Sequence, residues 1–170
     1  MLVEHGCTNY LEIGSRHGDA LHYVGCRLPK GSHLVAIDLP AGAWGASHSE
    51  INLERAAEDL RKRRQKVSII YGSSADKRVR KSAAALGPFD AIFIDGDHRY
   101  AAVRADWENY RHLVHSGGLI GMHDIDAWSV PKHEKVHVPK LWKEIIDTGV
   151  RRRAIVGTQR GMGIGVLWRE

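Results

Sequence analysis

Cysteine is scarce in this 170-residue chain, with only Cys7 and Cys26. They lack metal-ligand spacing and too few are present for a disulfide framework, so they read as free intracellular thiols. No run of about 18 apolar residues occurs, which excludes a membrane-spanning helix as an expectation. Glu4 and His5 interrupt the N-terminus before any apolar stretch, which argues against a secretory leader. Internal repeats, linkers and low-complexity segments are also lacking. The chain is therefore expected to form one cytoplasmic domain over residues 1–170, large enough to bury a core.

Aromatic residues are missing from the basic runs. The net charge of +5 is concentrated in 61–66, 77–81 and 151–153. Without interleaved aromatics these runs fit solvated helix ends and strand edges better than a single-strand nucleic-acid surface. A basic patch for RNA or an acidic substrate stays as the alternative.

What is present is an alternation of short apolar runs and helical segments. Strands are expected at 10–14, 33–38, 67–71, 90–95 and 119–124. Helices are expected at 19–28, 49–66, 77–86, 100–115 and 139–147, with Gly117-Gly118 stopping the fourth. Strands that are apolar throughout imply a parallel sheet covered on both faces. The last two runs, 153–157 and 163–168, leave no room for a helix between them and should form an antiparallel hairpin. The expected fold is α/β: a doubly wound, mostly parallel seven-stranded sheet of Rossmann-like type with a C-terminal hairpin.

The chain is organised around Tyr10-Leu11-Glu12-Ile13-Gly14-Ser15-Arg16-His17-Gly18. A strand, a glycine loop and a helix start in that order hold nucleotide-like ligands. The pattern is not Gly-x-Gly-x-x-Gly, and Glu12 before the loop would repel a pyrophosphate. Acids recur where parallel strands end: Glu12, Asp38, Asp95 and Asp124, with Asp76 after the third. Asp38, about twenty residues past Gly18, suits both ribose hydroxyls of an adenosine. A ligand with an ammonium, a sulfonium and an adenosine but no phosphate fits this charge pattern. That description matches S-adenosylmethionine better than NAD.

With Ile37-Asp38, Phe93-Ile94-Asp95-Gly96 and the terminal hairpin, the chain resembles a class I S-adenosylmethionine-dependent methyltransferase over nearly its whole length. Phe93-Ile94-Asp95-Gly96-Asp97-His98-Arg99-Tyr100, Gly117-Gly118 and His123-Asp124 are similar to a narrower group of small-molecule and sugar-directed methyltransferases in which IDGDH-x-Y recurs. Catechol-type O-methyltransferases are more distant relatives. The resemblance implies a cofactor site of Glu12, Gly14, Ser15, Gly18, Asp38, Leu39, Ser73, Ser74 and Asp95, with Asp76 a neighbour. It implies methyl transfer to a small-molecule hydroxyl.

Two routes for the acceptor proton are open. Asp95 and Asp124 match the positions at which related enzymes hold a divalent cation, and hard oxygen ligands suit Mg²⁺. Alternatively Asp95 and His98 form the catalytic pair, with His98 as a base. Related enzymes often carry an acid at the position of His123, and the catechol type an amide at that of Ile125. No NPPY sequence follows the fourth strand, which argues against N-methylation of bases or glutamine, and the K-D-K-E set of ribose-methylating RNA enzymes is not apparent. Relatives commonly have an N-terminal helical cap over the substrate. At most nine residues precede the first strand here, so the loops 39–48, with Trp44, and 127–138, with Trp128, His133 and His137, are the expected lids. A partner copy in a homo-oligomer is the other candidate cover. A non-catalytic S-adenosylmethionine- or nucleotide-binding module is the reading from a different class.

Overall fold

The computed structural model describes residues 1–40, 48–126, 136–155 and 162–170. The proposed lid residues Trp44, Trp128 and His133 lie outside this set. Among the described residues seven strands form one sheet: β1 (Asn9–Ile13), β2 (His33–Asp38), β3 (Lys66–Tyr71), β4 (Phe89–Ile94), β5 (Val114–His123), β6 (Arg152–Ile155) and β7 (Ile164–Trp168). Their order is β3-β2-β1-β4-β5-β7-β6. The first five are parallel, and β7 runs antiparallel to both β5 and β6.

The α-helices among the described residues are α1 (Asp19–Gly25), α2 (Ser49–Lys62), α3 (Lys77–Ala84), α4 (Tyr100–Tyr110) and α5 (Val138–Ile146). The sheet separates two apolar cores. Leu11 and Ile13 of β1 face one that includes Val79 of α3, Val103 and Tyr110 of α4, and Leu141 and Trp142 of α5. Tyr10 faces the other, with Leu21 of α1 and Leu53 and Leu60 of α2. This split follows from the period-2 alternation of side chains along a strand. Chain order reverses between β1 and β4, which opens a crevice at the carboxyl ends of those two strands. Among the described residues no helix is long and apolar enough to cross a membrane.

Helix α1 ends at Gly25, short of the expected Leu28, and the two larger departures from expectation each have a local reason. Helix α2 stops at Lys62, not Lys66. Arg64 takes a left-handed conformation (φ 72). The Gln65 and Arg64 amides then bond back to the carbonyls of Leu60 and Arg61. That closure usually employs glycine, so an arginine there gave no signal. The Gln65 side chain also donates to the carbonyls of Gly25 and Leu28, joining the ends of α1 and α2.

The second correction concerns α4. It ends at Tyr110, a 3₁₀ turn covers Arg111–Leu113, and β5 begins at Val114. Gly117 and Gly118 therefore lie within a strand. Phe89 pairs with Val114 and Ala91 with Leu119, so β5 bulges between them. A Cβ on Gly118 would sit 2.5 Å from Val114 Cγ1 and 2.7 Å from the Asp90 carbonyl. The bulge needs glycine there because two backbones meet.

Candidate active site

The glycine loop and the end of β4 touch at the crevice. The Gly14 amide donates to the Ile37 carbonyl (2.8 Å) and the Asp95 amide to that of Ile13 (2.9 Å). Gly14 has φ 87, and a Cβ there would lie 2.3 Å from the Asp95 carbonyl oxygen. Only glycine lets these two turns close on one another, which leaves a side-chain-free floor.

Asp38 ends β2 and accepts a hydrogen bond from the Arg16 amide (2.9 Å). Burial raises its pKa, against the Arg16 amide and the charge of His17. Leu39 beside it is 51% exposed, an apolar side chain open to a ligand. Ser15 is buried in the loop and its carbonyl accepts from the Gly18 amide.

Glu12 lies deeper than a ligand-facing acid. It is only 1% exposed and shares the α1/α2 face of β1 with Tyr10, whose hydroxyl donates to its Oε2 (3.0 Å). Burial pushes its carboxyl up to about 7, although Ser15 and Tyr10 pull it down. The unfolded chain releases this proton near 4.5, so the folded chain holds it longer. The resulting stability is fully present below that value and is lost as pH rises through about 7. The loss amounts to about 3 kcal/mol on the alkaline side. Glu12→Gln, which stays neutral, is expected to melt higher than the wild type above pH 7 and close to it well below. Parallel melting curves at all pH would contradict the assignment.

Ser73 and Ser74 follow β3. Ser73 is exposed, whereas Ser74 is tied down by α4. Its carbonyl accepts from the Tyr110 hydroxyl (2.8 Å), and its side chain bonds Asp106. Asp106 was not anticipated. It is buried in mid-helix under Gly96, where a Cβ would lie 3.3 Å from its Oδ2. Burial lifts its carboxyl to about 6, with Ser74 opposing and Asp97 adding to the rise. The available signal was an acid in the apolar stripe Val103, Asp106, Tyr110. Asp76 caps α3 by accepting from the Arg78 amide (2.7 Å). Asp76→Ala should cost about 1 kcal/mol of stability and leave ligand affinity unchanged; a large affinity loss would show that it also faces the ligand.

At the other end of the crevice four side chains converge. Asp95 Oδ1 is 3.2 Å from both His98 Nε2 and His123 Nδ1. Asp124 Oδ2 is 2.8 Å from His98 Nδ1, and its Oδ1 is 3.0 Å from His123 Nδ1. Asp95, His98 and Asp124 are thus brought together as expected, and His123 joins them. Burial disfavours charge on His98, but Asp124 and Asp95 outweigh it and raise its pKa to about 9. The same two acids carry His123 to about 10 despite burial. In return, both carboxyls are held below the ordinary range although burial opposes this. Without a bound cation the four groups form a charge-balanced quartet near neutral pH. The backbone of Asp124 is left-handed (φ 60), and the His98 carbonyl accepts from the His137 amide (2.8 Å), joining this loop to the segment before α5.

A separate groove of ≈ 590 Å³ opens between the loop's end and α2, lined by His17, Gly18, Asp19, His22, Asn52 and Arg55 among others. None of the four strand-end carboxylates lines it.

This architecture is similar to solved methyltransferase structures. An O-methyltransferase from Bacillus cereus, in complex with S-adenosylhomocysteine, shares 20% identity and aligns over 99% of this chain and 77% of its own, with a TM-score of 0.75. TomG from Streptomyces achromogenes, an O-methyltransferase of tomaymycin synthesis in complex with S-adenosylmethionine, gives 16%, 99%, 76% and 0.74. A precorrin-6y C5,15-methyltransferase from Geobacter metallireducens gives 11%, 96%, 81% and 0.66. A search of curated protein sequences finds no match. A family profile described as "Methyltransferase domain" matches residues 11–125. That match spans more than half of the chain, including the glycine loop, Asp38, Asp95, His98 and Asp124, and the chain belongs to the methyltransferase-domain family.

Proposed function

We propose that the protein is a cytoplasmic S-adenosylmethionine-dependent methyltransferase that acts on a hydroxyl of a small molecule. The observation that carries this reading is the pair of sites flanking Gly14: a buried acid at the ribose position, Asp38, and a polar cluster around Asp95. The residues fit the cofactor. The Gly14 floor admits a close ligand, and the crevice edge bears carboxylates with no phosphate-binding glycine pattern. The O-methyltransferases among the structural neighbours support oxygen as the acceptor atom.

When bound, S-adenosylmethionine supplies a methyl group already activated by its sulfonium. The chain's task is alignment and proton removal. Asp38 would hold the ribose by accepting hydrogen bonds from its hydroxyls. Asp95, with its side chain 29% exposed, is the cluster acid most open to an acceptor. His98 and His123 keep it ionised, so it accepts the acceptor's O–H hydrogen bond. Methyl transfer from the bound cofactor would leave the acceptor oxygen strongly acidic. A weak base then suffices, and Asp95 takes the proton. His98 does not serve as that base while its two acids keep it protonated; it positions Asp95 instead.

The RNA reading loses ground because three cations of the first basic run pair with acids of α2: Arg61 with Glu54, Lys62 with Glu58, and Arg63 with Asp59. That run also sits at the sheet edge opposite the crevice, since α2 leads into the start of β3. Labelled methyl transfer from S-adenosylmethionine, screened over hydroxylated metabolites and over RNA, tests the proposal. Labelled ethers are expected, with turnover reduced about 100-fold in Asp95→Asn. Label in RNA and in no small molecule would contradict it.

A further inference from the structure

We propose that Asp95, His98 and His123 form the binding site of a first-row transition dication such as Zn²⁺ or Co²⁺, and that Asp124 orients His98 from behind. The inference concerns the acceptor end of the site described above, but it needs only the geometry of the cluster.

The donor atoms are spaced for one ion. Asp95, His98 and His123 each offer a donor atom within 4.8 Å of the others', and the edges from Asp95 Oδ1 to His98 Nε2 and to His123 Nδ1 are 3.2 Å each. Two donors bound at about 2.1 Å lie roughly 3.0 Å apart at a right angle and roughly 3.4 Å apart at the tetrahedral angle. Both edges from Asp95 fall between these limits.

His123 Nδ1 is held by ion pairs and not by an aligned hydrogen bond. It is buried and at ion-pair distance from Asp95 and Asp124. His98 is placed differently. Asp124 Oδ2 sits 2.8 Å from its Nδ1, so the tautomer with the proton on Nδ1 turns the Nε2 lone pair toward Asp95. A carboxylate behind a ligating histidine is the usual outer partner in metal sites. Asp124 holds that place through a left-handed backbone (φ 60), a conformation costing a non-glycine residue about 1 kcal/mol and kept where the surroundings impose it.

The donor types then select the ion. Asp95 and Asp124 alone would suit Mg²⁺, which takes oxygen donors. Two imidazole nitrogens and one carboxylate oxygen favour a transition dication instead, and leave positions open for an acceptor oxygen.

Co²⁺ titration of the EDTA-stripped full chain, followed by visible d–d absorption and calorimetry without S-adenosylmethionine, tests this. One Co²⁺ per chain is expected, and excess Mg²⁺ should not displace it. His98→Gln and His123→Gln should each weaken Co²⁺ binding by more than about 100-fold and alter the spectrum. Asp124→Asn should weaken it by about 10–100-fold with the band positions kept. Circular dichroism reports whether each variant folds; if one does not, the Mg²⁺ competition on the wild-type chain still decides. No Co²⁺ uptake, displacement by comparable Mg²⁺, or wild-type affinity in the histidine variants would overturn the inference. S-adenosylhomocysteine binding without Co²⁺ binding would sink this inference alone, and Co²⁺ binding without S-adenosylhomocysteine binding would sink the proposed function alone.

Discussion

Gly14→Ala is expected to abolish S-adenosylhomocysteine binding and to destabilise the fold by about 2–5 kcal/mol. Two effects add. The left-handed backbone at φ 87 penalises any side chain, and the new Cβ would lie 2.3 Å from the Asp95 carbonyl oxygen. Backbone on both sides leaves no flexible side chain to yield, so the loop and the end of β4 must part. That movement displaces Asp95 and the floor of the crevice together. Gly31→Ala is the matched control, because Gly31 has φ 89 with open space where its Cβ would go. It should show the backbone penalty of about 1–2 kcal/mol and normal ligand binding. Denaturant unfolding and calorimetry on both variants check this. Equal losses in the two would show that close packing at Gly14 does not matter.

The second large effect is expected from Asp38→Asn. The asparagine oxygen can still accept from the Arg16 amide, which Asp38 Oδ1 now does at 2.9 Å, so the loop should keep its shape. What is lost is an ionised acceptor for paired hydroxyls. Two hydrogen bonds to a charged group are worth about 3 kcal/mol together, or about 100-fold in dissociation constant. Melting temperature should change little while affinity for S-adenosylhomocysteine falls by that factor. Unchanged affinity would remove Asp38 from the cofactor site.

The strand-end carboxylates were legible in the sequence because each parallel strand is an apolar run that stops at an acid. The hairpin was legible because 153–157 and 163–168 leave no length for a helix. The placement of Glu12 was legible only in part. Its type and spacing marked it, but alternation with Leu11 and Ile13 puts it on the α1/α2 face of β1 with Tyr10, beneath the loop rather than open to it. The quartet of Asp95, His98, His123 and Asp124 was out of reach as a unit. Its closest contact, His98 to Asp124, joins turns after two different strands, and it depends on a left-handed aspartate that no local pattern announces. The closure of α2 at Arg64 and the bulge at Gly117-Gly118 failed for related reasons. An arginine stood where glycine is usual, and a glycine pair expected to end a helix accommodates a β-bulge instead.

The crevice is expected to bind S-adenosylmethionine rather than a phosphate-bearing dinucleotide. Calorimetry of the purified chain with S-adenosylhomocysteine and, separately, with NAD distinguishes the two. One S-adenosylhomocysteine should bind per chain, weakened about 100-fold in Asp38→Asn, with no heat from NAD. Binding of NAD with none of S-adenosylhomocysteine would contradict that expectation.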